Sequence, residues 1–195
     1  TIVSPASGGA GTQYMCAGWT GTGDVTNGSG TSAVFTVVTN STQTWQWRTE
    51  YLLSAGVWGA GSVGVTNGWH AAGSNVAIAA TASIGCHFVN WTGGVASAAN
   101  PLVLTMDRAY AVTANFAPDL HTLTITSPYG VATPPAGIYT NDYGTVLTNA
   151  VTSPDTRGTT RYVCTGWTGT GSAASGAGTS ASFTLTNDST LAWQW

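Results

Sequence analysis

Seven carboxylates, three imidazoles and three thiols are the side chains of this 195-residue chain that could shuttle protons, hold a metal or attack an electrophile. The acids are Asp24, Glu50, Asp107, Asp119, Asp142, Asp155 and Asp188. Most stand beside Gly, Asn, Pro or Ser, the company of turn residues, because a short carboxylate hydrogen-bonds nearby backbone in a turn. A glycosidase needs two carboxyl groups facing across a cleft, and no two of these acids fall on strands expected to oppose one another. His70, His87 and His121 lie in unrelated positions, whereas a metal site needs three or four convergent ligands. His87 adjoins Cys86, but neighbours on a strand point to opposite faces. Calcium would need several gathered carboxylates, and there is no Asp-rich loop. No catalytic residue, metal site or cofactor is therefore expected.

Gly59-Ala-Gly-Ser-Val-Gly64 has the spacing of a dinucleotide fingerprint. That fingerprint works only between a strand and a helix, and Val65-Thr-Asn-Gly-Trp-His70 is turn and strand material, so a Gly-rich hairpin is expected. A P-loop needs a Lys, and all four cations are Arg: Arg48, Arg108, Arg157 and Arg161. Four scattered Arg against seven acids also argue against a nucleic-acid partner, which needs clustered cations. No apolar run approaches the roughly 18 residues of a membrane span. Charged residues make up 6% of the chain, where about 25% is usual, and apolar residues 43%, too many for disorder. A surface so poor in charge suits an anchored or assembled chain better than a freely diffusing one.

The organisation rests on an internal repeat. Tyr14-Met-Cys-Ala-Gly-Trp-Thr-Gly-Thr-Gly23 returns as Tyr162-Val-Cys-Thr-Gly-Trp-Thr-Gly-Thr-Gly171, and from Tyr14 to Trp47 the 148-residue offset holds without a gap, with 20 of 34 positions identical. A weaker third copy aligns Leu102–Phe116 with Ala181–Trp195, and Cys86-His-Phe-Val-Asn-Trp-Thr-Gly-Gly94 with the Tyr-x-Cys-x-Gly-Trp-Thr-Gly segment. The expected division is residues 1–47 as the C-terminal part of a long module, 48–116 as a complete short module and 117–195 as a complete long one. Both ends fall inside the pattern, so the chain is expected to be a slice of a longer array.

Apolar residues alternate throughout. Leu102, Leu104 and Met106, then Val112, Ala114 and Phe116, carry the period of two that marks half-buried strands. Ala181, Phe183, Leu185, Leu191, Trp193 and Trp195 repeat it. Asp107-Arg108 and Asn187-Asp188 interrupt the runs as turns should. Further strands are expected at Glu50–Ser54 and Thr122–Thr126, at Val76–Ala82 and Thr145–Val151, and ending at Trp91 and Trp167. No stretch has a helical period. The expected fold is all-β: tandem modules of about five short strands, β-grasp-like or small sandwiches, in an elongated array whose members lean on one another because each is marginal alone.

The module pattern resembles the divergent B-repeat family, related to the internalin B-repeats of bacterial surface proteins. Its carriers are Gly73-Ser-Asn-Val or Gly144-Thr-Val, aromatic-x-Phe/Cys-x-x-Trp-Thr-Gly, and the close Leu-Thr-Met-Asp…Val-Thr-Ala-Asn-Phe116. The long modules depart from it, with Cys where the family has Phe and Trp-Gln-Trp where it has Ala-Asn-Phe. The resemblance implies a secreted or surface-attached bacterial protein whose repeats serve as spacers or interaction modules, and it carries over no functional residues.

The recurring positions are expected in the core: Cys16, Trp19, Phe35, Trp45 and Trp47 in the first copy; Phe88, Trp91 and Phe116 in the second; Cys164, Trp167, Phe183, Trp193 and Trp195 in the third. Cys16 and Cys164 hold the place of Phe88, so they are expected to be reduced and buried. Trp58 and Trp69 belong to the short module alone and flank Gly-rich turns, where they would contact a glycan or a neighbouring module. The expected function is a non-enzymatic stalk, spacer or adhesive array outside the cell. A self-assembling filament of identical chains and a polysaccharide-binding module are the alternatives.

Overall fold

The computed structural model describes every residue, Thr1–Trp195. The chain is all-β, its strands separated by turns and irregular segments with no helix between them. It divides into two compact units, Thr1–Ala82 with Phe88–Phe116, and Ser83–His87 with Ala117–Trp195.

In the first unit one strand, Thr42–Trp58, organises the rest. Nothing from Trp45 to Leu53 is Gly, Pro, Asn or Asp, so no turn chemistry interrupts the extended run. Its first half pairs antiparallel with Thr12–Thr22, setting Trp19 opposite Trp45 and Cys16 opposite Trp47. Its second half pairs parallel with Tyr110–Pro118, from Tyr110 opposite Leu53 to Asn115 opposite Trp58, and antiparallel with Gly68–Ala71. This strand runs across Trp47, within the compact unit of Thr1–Ala82 and Phe88–Phe116.

Alternation sets the first unit's core. Leu102, Leu104, Met106, Tyr110, Val112, Ala114 and Phe116 are buried while the residues between them face outward. Leu53, Ile78 and Trp91 close on the same cluster. All of its members come from residues 51–116, and Val25 is the one buried apolar side chain of the first 47 residues. Gly59 takes a φ of +86°, and it and Gly61 lie against Phe116 where a Cβ would not fit. The GxGxxG stretch is thus a tight turn into the short strand Gly61–Val63, which pairs with Ala80–Ala82.

The second unit contains a four-stranded sheet in the order Gly137–Asp142, Leu120–Thr126, Ser189–Gln194, Gly166–Thr170. The central pair is parallel, with Leu123 opposite Ser189 and Ile125 opposite Leu191. A second sheet runs Ala132–Thr133, Val146–Val151, Ser180–Thr184. Leu123, Ile125, Ala132, Val151, Cys164, Ala181, Leu191 and Trp193 form the core. Each unit thus holds one parallel pair that includes its closing strand, Thr42–Trp58 with Tyr110–Pro118 and Leu120–Thr126 with Ser189–Gln194.

Candidate functional site

The feature built three times is a clamp around the Trp-Thr-Gly motif. Trp19 exchanges two backbone hydrogen bonds with Gly28, Trp91 with Ser97, and Trp167 with Gly176, at 2.7–3.3 Å. Each indole then donates into its own loop: Trp19 Nε1 to the Thr26 carbonyl at 2.9 Å, Trp91 Nε1 to Ala99 at 3.0 Å, Trp167 Nε1 to Ala174 at 2.8 Å. Trp19 meets Trp45 edge-on at 5.2 Å, and Trp167 meets Trp193 at 5.5 Å, a geometry that aromatic quadrupoles favour. In the short module the ring beside the clamp Trp is Phe88, 5.5 Å from Trp91 and 5.9 Å from Phe116.

The Cys residues that replace Phe88 share a common arrangement. Cys164 Sγ donates to the carbonyls of Gly166 and Gly178 at 3.4 and 3.5 Å, and Cys16 Sγ to those of Gly18 and Gly30 at 3.5 and 3.2 Å. No disulfide joins them, and Cys164 is buried while Cys16 is half-buried.

The equivalent residues diverge at Phe35 and Trp47, which were expected in the core. Phe35 is 41% exposed and Trp47 43%. Phe183, the counterpart of Phe35, sits in a strand paired with Val146–Ala150. No strand lies along Ala33–Val37 in the first unit. Trp195, the counterpart of Trp47, has the Tyr129 ring edge-on at 5.9 Å, and no such ring covers Trp47. Trp45, Trp19, Trp167, Phe88, Phe183 and Trp195 are half-buried, and Trp91, Phe116 and Trp193 are buried.

Trp58 and Trp69 stand out from their unit, at 67% and 41% exposure. They do not act as a pair. Trp58 ends the long strand, whereas Trp69 lines a cleft of about 290 Å³ with Pro5, Ser7, Thr12, Gln13 and Leu52. That cleft combines one aromatic wall with hydroxyl and amide groups, and sequence reasoning missed it because Pro5–Gln13 are remote from Trp69 along the chain.

The ionisable side chains do not converge. Two imidazole–carboxylate pairs exist, His87 Nδ1 with Asp119 Oδ1 at 2.8 Å and His121 Nδ1 with Asp188 Oδ1 at 3.5 Å. A nucleophile–base–acid relay needs a hydroxyl or thiol on the far side of the imidazole, and neither ring is hydrogen-bonded to one. Glu50 is buried, with one oxygen taken by Gln13 Nε2 at 2.8 Å and the other by Arg48 at 2.9 Å. No group of three His, Cys, Asp or Glu side chains is placed to hold a metal ion.

The acids instead fasten loops. Asp24 accepts from the Thr39 and Val38 amides, which hold its carboxyl below the usual carboxylate range. Asp155 is held low by the Gly130 amide and then Arg157, and Asp188 by the Thr122 amide and hydroxyl. Carboxylates with depressed folded pKa values stabilise the fold above the unfolded pKa and lose that contribution as pH falls through the folded one. Urea midpoints should thus stay level above about pH 5 and decline below about pH 4. The Asp24→Asn, Asp155→Asn, Asp188→Asn triple variant should show a flatter decline; an equally steep one would remove these carboxylates as its cause.

The model of the family described as the divergent InlB B-repeat domain matches residues 51–120. The family resemblance is thus shown over the short module, whose clamp at Trp91 and core at Phe116 have just been described. No match was found among the curated proteins or the solved structures.

Proposed function

We propose that the chain is a non-enzymatic structural segment of an extracellular bacterial surface protein, a spacer that holds other parts of its parent away from the cell. The observation that carries this reading is the match of residues 51–120 to the divergent InlB B-repeat domain, a family whose repeats belong to surface proteins. The architecture supports it. Side chains that do chemistry elsewhere are spent here on fastening loops, and the side chains built with most care, Trp19, Trp91 and Trp167, close the protein's own turns. Exchanging this segment in its parent for an unrelated β-spacer of similar length should preserve the parent's surface display, seen by antibody labelling of intact cells, and its adhesion. Loss of adhesion with display intact would make the segment an adhesive element instead.

One observation favours a second reading, polysaccharide binding. The cleft beside Trp69 offers an exposed indole among Ser7, Thr12 and Gln13, the mixture of aromatic face and hydrogen-bonding groups that a sugar ring uses. A saturable fluorescence change with a polysaccharide, lost in Trp69→Ala and kept in Trp58→Ala, would establish it in place of the spacer role.

A further inference from the structure

The cleft beside Trp69 stands on two neighbouring rows of one sheet face. In the first row Ser7 lies opposite Gln13, Gln13 opposite Glu50 and Glu50 opposite Ala71. In the next, the Leu52 amide donates to the Gly11 carbonyl, and Leu52 lies opposite Trp69. Residues two apart along a strand share a face, so Gln13 and Glu50 stand beside Leu52 and Trp69. Gly9 and Gly11 hold φ values of +103° and +71°, a region that admits Gly and few other residues. The side chains they lack leave a hollow between the Trp69 indole and the wall of Ser7 and Gln13. The corresponding face of the second unit is open as well. Thr156 and Arg161, opposite one another as Ser7 and Gln13 are, stand exposed, and Pro128–Gly130 approaches the other face, at Asp155, Arg157 and Tyr162.

The polar wall of the cleft has a fixed sense. Glu50 is 8% exposed, and each of its oxygens has one partner: Oε1 the Arg48 guanidinium at 2.9 Å, Oε2 the Gln13 Nε2 at 2.8 Å. A carboxylate paired with Arg can only accept hydrogen bonds. The Gln13 amide must therefore turn its NH2 to Glu50, and its Oε1 remains an acceptor with no donor from the protein. Flipping the amide would set two acceptors face to face and cost a charge-assisted bond, the stronger kind. No charged side chain lines the cleft. Its volume of about 290 Å³ is at the lower end for a ligand pocket, which suits one ring.

We propose that this cleft takes a single neutral sugar ring with a hydroxyl that donates to Gln13 Oε1, and that Glu50, held by Arg48, is the positioning residue that sets this preference. The proposal rests on the polysaccharide reading above and names the class of sugar. A pyranose whose hydroxyls are all equatorial, as in a β-linked glucan, has a C–H face for the Trp69 indole and a rim of hydroxyls for Gln13, Ser7 and Thr12. Glu50 does not line the cleft. It acts through Gln13, by disfavouring the amide orientation that would offer a donor in place of the acceptor. With no charge on the walls, salt should affect binding little.

The test titrates the intact chain with methyl β-cellobioside and with its analogues in which one hydroxyl at a time is replaced by fluorine. Fluorine is close to a hydroxyl in size but has no proton to donate. Binding is read from the Trp69 indole N–H and the Gln13 side-chain amide in heteronuclear NMR spectra. Saturable shifts are expected, unchanged between low and high salt, and lost at Gln13 in Trp69→Ala. One fluorinated position should weaken wild-type binding about 5–10-fold, the worth of one hydrogen bond. That penalty should fall below about twofold in Glu50→Gln, whose side chain accepts either orientation of Gln13, and in Gln13→Met, which has no acceptor to lose. The Gln13→Met variant keeps the test open if Glu50→Gln fails to fold. No binding of the cellobioside, or binding that survives Trp69→Ala, would overturn the polysaccharide reading of this cleft and the inference with it. Binding that needs Trp69 but discriminates against no fluorinated position, or whose penalty persists in either variant, would leave that reading standing and overturn the inference alone.

Discussion

Trp91→Ala should cost about 3–5 kcal/mol, the range for deleting a buried aromatic side chain, and so most of the margin of a small domain. Trp91 is fully buried, the largest side chain in the first unit with no exposed surface. Three terms fall together on its removal. The indole's contact with Phe88, a ring that itself packs on Phe116, disappears. The hydrogen bond to the Ala99 carbonyl is lost, leaving an acceptor in a part-buried loop without its donor. A void opens in the core cluster that Trp91 shares with Leu53, Ile78, Leu102 and Leu104, residues from several strands that collapse only partly. Trp91→Phe should fall between wild type and Ala, restoring the apolar volume in part without the hydrogen bond. Urea denaturation followed by circular dichroism measures both. A loss below about 1 kcal/mol for Trp91→Ala would mean that the Trp-Thr-Gly clamp is not what holds this unit together.

The short module was legible in the sequence because its core is local and periodic. Leu102, Leu104, Met106, Val112, Ala114 and Phe116 alternate, and alternation in a strand translates directly into one buried face. The long-range pairing was not. The module boundary expected after Trp47 follows the repeat offset, and an offset between side chains carries no information on which backbone segments pair. Trp45–Leu53 contains nothing that stops a strand, so the backbone continues. Phe35 and Trp47 fail as core residues for a related reason. Their identities match Phe183 and Trp195, but burial depends on what lies opposite, and that is a strand and a Tyr ring tens of residues away in the second unit. Asn149 makes the same point in reverse. Alignment of Leu102 with Ala181 puts it at the place of Ile78, and the ladder buries it there despite its amide. The Trp69 cleft, assembled from residues far apart in the chain, left no local signal at all.

Gly166→Ala should cost the second unit at least about 2 kcal/mol for the addition of a single methyl group. Gly166 precedes Trp167 in the clamp and sits at a φ of +144°, a backbone conformation that side-chain-bearing residues rarely adopt. Its added Cβ would also run into the Gly176 carbonyl oxygen, the same oxygen that accepts the Trp167 amide. Conformation and collision separate cleanly at two other positions. Gly158 has a φ of +62° with open space around it, so Gly158→Ala carries the conformational term alone, about 1–2 kcal/mol. Gly176 has no left-handed φ, but its added Cβ would strike the Trp167 indole, so Gly176→Ala carries the steric term alone, about 1–3 kcal/mol. Chemical denaturation of the three single variants should place Gly166→Ala beyond either of the others, with the Trp167 emission altered in Gly176→Ala and unaltered in Gly158→Ala. If Gly166→Ala cost no more than Gly158→Ala, the loop would be yielding to the methyl group, and the recurring Gly-Trp-Thr-Gly sequence would reflect turn conformation alone rather than a closed clamp.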